Sequence, residues 1–176
     1  MKTVVVVHNI RSLHNVGAIL RTAEGFGVQK VIFSGYTPCA DNPTYLPHIK
    51  EKIKDAIHKT ALGAEEMVPT EYTGNVREAL KNLKANRYRI IGLENNIKDK
   101  RLKKLNSPEL QSALGRAAAF GNKTALLLGE EVGGIQEDLY DLIDLFLEIP
   151  MKGQKESFNV SVATGIALYK LLCEEN

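Results

Sequence analysis

Apolar residues along this chain fall into short unbroken runs, separated by stretches in which they recur every three or four positions. The runs are TVVVV at 3–7, VIFSG at 31–35, YRIIGL at 88–93, TALLLG at 124–129 and LFLEI at 145–149. β-branched runs without polar alternation predict strands buried on both faces, and hence a parallel sheet covered by helices. A weaker strand is expected in MVPTEY at 67–72, where Pro69 restricts it to an edge.

Between the runs, NVGAILRTAEGFG at 15–27 places Val16, Ile19, Leu20, Ala23 and Phe26 on one helical face, with Asn15 as N-cap and Gly27 as stop. Asn75 and Glu78 form a capping box for a second helix, and Ser107-Pro108 opens a third that is expected to run to about residue 119. A last helix begins near Val160 and is expected to bury Val160, Ala163, Ala167, Leu168 and Leu171. The most polar stretch, ENNIKDKRLKKLN at 94–106, reads as a mobile loop. With no repeat, low-complexity tract or linker, the pattern predicts one α/β domain over residues 1–176, a mostly parallel sheet flanked by helices.

Composition narrows the classes. The 176 residues suffice for a single core. A net charge of +2 and a pI near 8.5 permit nucleic-acid binding without arguing for it. Cys39 and Cys173 form no CxxC and no disulfide framework, which suits a reducing cytoplasm. The opening run is too short for a signal peptide or a membrane span, so no membrane partner is expected. His8, His14, His48 and His58 lack metal-site spacing, so no metal is expected, and no GxGxxG or GxSxG appears. GRAAAFGNKT at 115–124 has the wrong glycine spacing for a phosphate loop and precedes a strand instead of following one.

Three polar clusters remain where predicted strands end, the place where open parallel sheets bind ligands. In NIRSLHNVGAILRTA at 9–23, Asn15 serves equally as helix cap or ligand contact. Arg21 sits on a largely apolar helix, where partial burial would suit a guanidinium that grips phosphate. LLLGEEVGGI at 126–135 turns a buried strand into two adjacent acids and a glycine pair. IPMKGQKESFNVSVATGIALY at 149–169 carries more hydrogen-bonding capacity than a plain connection needs, and reads as a bend that holds a small molecule.

Taken together and in this order, the three segments resemble the three motifs of the SpoU/TrmH family of RNA ribose 2'-O-methyltransferases, within the SPOUT superfamily. The resemblance covers nearly the whole chain. It implies S-adenosylmethionine as methyl donor, a homodimer, and a sheet whose C-terminal part is tied into a trefoil knot. Catalytic positions implied by the match are Asn15 and Arg21 in the first motif, Glu131 in the second, and Ser157 and Asn159 in the third. The implied cofactor contacts come largely from main chain at Leu128, Gly129, Glu130, Ile149, Pro150 and Met151, with Ser157, Phe158 and Asn159 beside them. Glu130 and Val132 stand where the family commonly has asparagine and glycine, and Phe158 where leucine is common.

Arg11 and Arg21, with the basic run Lys98, Lys100, Arg101, Lys103 and Lys104, are the expected RNA contacts. Ribosomal members of the family often carry an extra N-terminal substrate domain, whereas the first motif here starts at about residue 9; this favours transfer RNA over ribosomal RNA. The alternatives are a ribosomal RNA 2'-O-methyltransferase, a catalytically silent knotted RNA-binding module, an RNA base methyltransferase of the wider superfamily, and an unrelated α/β nucleotide enzyme. The last is disfavoured by the missing phosphate-loop and dinucleotide fingerprints.

Overall fold

The computed structural model describes residues 2–115 and 123–173. Among them, the apolar runs form β1 (Lys2–His8), β2 (Lys30–Ser34), β4 (Arg89–Leu93), β6 (Lys123–Leu128) and β7 (Leu145–Glu148). Two short edge strands, β3 (Thr70–Thr73) and β5 (Leu102–Lys104), complete a fully parallel sheet of order β3-β2-β1-β6-β4-β7-β5. Pro69 stands just outside β3, where its missing N–H costs nothing and its carbonyl accepts from Val31 N–H at 2.9 Å.

Strand residues divide between the faces with period two. Val5, Val7, Val31, Phe33, Ile91, Leu126 and Leu128 face the core beneath α1 (Leu13–Gly25), α2 (Pro47–Ala61) and α6 (Val160–Leu172). Val4, Val6, Ile32, Ile90, Ala125, Leu127 and Phe146 face the other core, beneath α4 (Val76–Ala85) and a 3-10 helix at Glu137–Leu142. The runs lack polar alternation because each face is covered.

The helices depart from the sequence reading in instructive ways. α1 starts earlier: Ser12 is its N-cap, its hydroxyl accepting from Asn15 N–H at 3.2 Å, so the Asn15 side chain is free for other work. Neither α2 nor the short α3 (Ala64–Met67) was expected. α2 packs closely on α1 at Gly17, where a Cβ would lie 2.5 Å from the Ile57 carbonyl oxygen. α4 is capped as expected, Asn75 Oδ1 accepting from Glu78 N–H at 3.1 Å. α5 (Pro108–Gly115) opens as expected, and its continuation to about residue 119 lies outside the described residues.

The polar stretch 94–106 is no plain loop, because Leu102–Lys104 pairs with β7 as β5. Arg101 holds it there, donating to the carbonyl oxygens of Tyr140 (2.7 Å) and Ile143 (2.6 Å) and pairing with Asp99 at 2.6 Å. That hydrogen bond holds the Asp99 carboxyl down to about 2. α6 buries Ala167, Leu168 and Leu171 as expected, but Val160 and Ala163 are only half-buried and face a cavity.

Candidate functional site

From β1 the chain moves to β2 and β3 on one side, while β6, β4, β7 and β5 lie on the other. Segments leaving the carboxyl ends of β4, β6 and β7 therefore meet in a crevice. A cavity of about 470 Å³ lies there, within the range of about 300–1,000 Å³ for small-molecule sites. Leu93, Leu128, Ile149, Phe158, Val160 and Ala163 give it an apolar wall, and Glu94, Glu131, Ser157 and Asn159 bring polar groups to it.

A chain of hydrogen bonds joins the three clusters at this cavity. Asn159 caps α6, its Oδ1 accepting from Ser161 N–H at 2.9 Å, which leaves its amide N–H₂ pointing away from the helix. That group donates to Asn15 Oδ1 at 3.1 Å, and Asn15 Nδ2 donates to Glu131 Oε1 at 3.3 Å. The Arg11 main-chain N–H donates to Glu131 Oε2 at 3.4 Å. Each amide has one end committed, so its donor and acceptor orientation is determined by the network. Side chains 116 and 144 positions apart in the chain thus form one polar unit.

The turn between β6 and the 3-10 helix is held by backbone. Glu130 and Gly134 exchange N–H···O bonds at 3.0 Å each. A Cβ at Gly129 would sit 2.4 Å from the Gly134 carbonyl carbon, so only glycine lets the turn close. Glu94 buttresses the same turn, accepting from Ile135 N–H at 2.7 Å. The Glu130 carboxylate accepts from Tyr36 Oη at 2.6 Å and from Arg11 Nη2 at 3.1 Å. Burial, followed by that carboxylate, pushes the Tyr36 phenol up, so it remains a neutral donor.

Asn95 holds the bend after β7. Its Oδ1 accepts from Ile149 N–H (3.2 Å), and its Nδ2 donates to the carbonyl oxygens of Ile149 (3.3 Å) and Glu156 (3.2 Å). The amide acts as a short strand mate for Ile149 and pins the far arm of the bend, which places Ser157, Phe158 and Asn159 against the cavity.

Seven of the expected cofactor residues line the cavity: Leu128, Gly129, Glu130, Ile149, Ser157, Phe158 and Asn159. Pro150 and Met151 are not among its lining residues. Main-chain donation is narrower than expected, since the N–H groups of Ile149 and Glu130 are spent on Asn95 and Gly134. Arg21 is exposed instead of half-buried, because the buried face of α1 is formed by Val16, Gly17, Ile19, Leu20 and Ala23 and position 21 falls outside it. It does not line the cavity, and makes no hydrogen bond or ion pair among the described residues. Lys98, Lys100 and Lys104 are exposed, Lys103 donates to the Lys100 carbonyl at 2.8 Å, and Arg101 is committed to holding β5. Sequence reasoning missed Tyr36, Glu94 and Asn95. Glu94 and Asn95 had a legible signal, two polar residues directly after a buried strand; Tyr36 had the glycine before it.

A family model described as the SpoU rRNA Methylase family matches residues 2–169. The 23S rRNA (guanosine-2'-O-)-methyltransferase RlmB of Nitrosomonas europaea is 32% identical over 165 residues, covering 94% of this chain and 54% of that protein. A putative TrmH family tRNA/rRNA methyltransferase of Staphylococcus saprophyticus is 27% identical over 176 residues, covering 100% of this chain and 60% of that protein. The chain therefore spans little more than half the length of these curated relatives. Among solved structures, the A. aeolicus TrmH/SpoU tRNA modifying enzyme superposes with a TM-score of 0.71 at 23% identity, over 97% of this chain and 74% of that one. The AdoMet-bound rRNA methyltransferase from Sinorhizobium meliloti gives 0.72 at 21%, over 97% and 55%. These likenesses establish a shared fold.

Proposed function

The chain belongs to the SpoU rRNA methylase family, and on that premise we propose that it transfers a methyl group from S-adenosylmethionine to a ribose 2'-hydroxyl of RNA. The observation that carries this reading is the hydrogen-bonded chain Asn159–Asn15–Glu131 beside a cavity of nucleotide size. The cavity suits such a donor, with Leu128, Ile149 and Phe158 offering apolar surface to an adenine ring, and Ser157 and Asn159 offering polar contacts to the ribose and amino acid. When bound, that donor supplies a methyl group already activated on a sulfonium. The protein's task is then alignment of the hydroxyl and disposal of its proton.

Glu131, held by Asn15 and the Arg11 N–H, orients the hydroxyl through an acceptor fixed in place. Arg21 neutralises the developing alkoxide and grips the neighbouring phosphate; a guanidinium stays protonated and is no base. With the donor bound, Glu131 and Arg21 would hold the hydroxyl oxygen in place while its proton leaves to solvent. Arg21 lies about 9 Å along α1 from Asn15 at 1.5 Å per residue, exposed and outside its own cavity. We therefore assign it to the cavity of a second copy in a homodimer. Exposed Val162 and Tyr169 on α6 offer apolar surface for that pairing. A monomeric mass in sedimentation at micromolar concentration would contradict the dimer.

The relatives' names put ribosomal RNA ahead of transfer RNA as substrate, reversing the order drawn from the sequence. The test is transfer of label from S-adenosylmethionine to unmodified ribosomal and transfer RNA, followed by digestion to nucleosides. Ribose label lost in Asn159→Ala and Arg21→Ala supports the reading. Label on a base refutes it, and cofactor binding with no transfer to either RNA favours the silent RNA-binding module.

A further inference from the structure

The cavity at the strand ends is lined by charge of one sign. Glu94, Glu130, Glu131 and Glu156 line it, and no lysine, arginine or histidine does so among the described residues. Of these four, Glu130 alone has a cationic partner among the described residues, the Arg11 guanidinium at 3.1 Å. Glu94 accepts from main-chain N–H groups, those of Ile135 at 2.7 Å and Asn95 at 3.0 Å. Glu131 takes its donors from the Asn15 amide and the Arg11 main-chain N–H. Glu156 makes no ion pair among the described residues. Lys152 and Lys155, in the same bend as Glu156, are exposed and stand outside the lining.

Neutral N–H donors satisfy the lone pairs of a carboxylate without cancelling its charge, so the charges of Glu94, Glu131 and Glu156 stay uncompensated. They stand beside Leu93, Leu128, Ile149 and Phe158, and a cleft with charge of one sign and apolar walls focuses the field into its interior. The acids do not converge on a point: no group of three ligating side chains among the described residues is placed to hold a metal ion. Negative charge spread around a cavity of about 470 Å³ suits a bulky organic cation better than a compact one.

We propose that this cavity tells the charged methyl donor from its spent product, and that Glu94, Glu131 and Glu156 are the residues that discriminate. The inference rests on the S-adenosylmethionine reading of the same cavity. S-adenosylmethionine and S-adenosylhomocysteine share their adenosine and amino-acid parts and differ by one methyl group and by the positive charge on sulfur. Among uncompensated carboxylates a sulfonium is held more tightly than a neutral thioether. A product held less tightly vacates the cavity for fresh donor, so the acids that retain the one also speed the exchange of the other.

The test is calorimetric titration of the full chain with three ligands: S-adenosylmethionine, sinefungin, whose protonated amine stands where the sulfonium is, and S-adenosylhomocysteine. Both cations are expected to bind about tenfold more tightly than S-adenosylhomocysteine at low salt, the sum of several partly screened attractions. The preference is expected to shrink to about threefold or less at 1 M salt, where the screening length is about 3 Å. Glu131→Gln and Glu156→Gln are each expected to cut the low-salt preference about twofold, and together about fivefold. A residue that only shaped the cavity would weaken all three ligands alike and leave the ratio unmoved. Val132→Lys, which sets a cation at a lining position that is 97% exposed, is expected to cut the preference as well. S-adenosylhomocysteine binding as tightly as both cations at low salt, or a preference that ignores salt and these variants, overturns the proposal. Locating methyl label in RNA separates the two readings. Transfer with equal affinities sinks the charge selection alone; a salt-sensitive preference without transfer to any RNA sustains the selection and sinks the methyltransferase reading.

Discussion

Asn95→Ala tests whether one side chain holds the cavity wall in register. Three hydrogen bonds of 3.2–3.3 Å disappear: one accepted from Ile149 N–H, and one donated to each of the Ile149 and Glu156 carbonyls. At that length each contributes near the low end of the usual range, about 0.5 kcal/mol. Ile149 is only 6% exposed, so water does not replace the lost partner of its N–H, which adds about 1 kcal/mol for an unsatisfied buried donor. The sum, about 2.5 kcal/mol, corresponds to roughly 60-fold in the opening equilibrium of the bend. β7 and α6 stay packed by their apolar residues, so the loss is local. Hydrogen exchange at the Ile149 amide is expected to quicken by roughly 60-fold, with S-adenosylhomocysteine affinity in calorimetry falling about tenfold or more. Asn95→Asp keeps the acceptor and loses the donors, so its exchange is expected to fall between wild type and Ala. Unchanged exchange at Ile149 together with unchanged affinity in Asn95→Ala would refute the clamp.

Three further outcomes follow from packing and charge. Gly17→Ala is expected to lower stability by about 1–3 kcal/mol in denaturant unfolding, because its Cβ would lie 2.1 Å from Thr60 Oγ1 and 2.5 Å from the Ile57 carbonyl; a gain, as helix propensity alone would give, counts against the packing argument. Replacing Lys98, Lys100 and Lys104 together by Gln is expected to flatten the salt dependence of RNA binding by about 2 in log–log slope and to leave cofactor affinity unchanged, and an unaltered slope removes this loop from the RNA surface. Burial lowers the His8 pKa below 6.5, against the opposing pull of Gln136, Asp138 and Glu130. The unfolded chain therefore binds the proton first as pH falls, and the urea midpoint is expected to drop below pH 6.5 but hold above it. His8→Gln should flatten that drop; an unchanged pH profile in the variant would assign it to other groups.

What could be read from the chain depended on how local its cause was. The five long strands announced themselves because both faces of the sheet are covered, which turns each strand into an unbroken apolar run. α2 was missed although Ile49, Ile53 and Ile57 stand four apart behind Pro47, because lysines and acids surround them. β5 was hidden for a different reason: Leu102–Lys104 has no strand signature of its own and is held at the edge of β7 by Arg101, whose acceptors on Tyr140 and Ile143 lie 39 and 42 positions away. The same arginine looked like part of an RNA-facing run until its partners were known.

The site divides along the same line. Each motif is a local fact, a polar cluster at the end of a buried strand, and that much follows from sequence. Which atoms meet is not local: Asn159 finds Asn15, and Glu130 finds Tyr36 across 94 positions. The family resemblance named the residues of the first set in advance, though not that they bond one another, because Asn15, Glu131 and Asn159 match its motifs. It could not supply the second, because Glu130 departs from the family's usual asparagine and Tyr36 lies outside the motifs. An asparagine there would offer one acceptor and two donors, whereas Glu130 accepts only, and it draws in Arg11 and Tyr36 as donors on one oxygen. That substitution converts a turn residue able to meet any polar edge into one that meets only donors. The departure from the family pattern therefore changes the chemistry of the turn, while the matched residues keep the hydrogen-bonded chain that joins the three motifs.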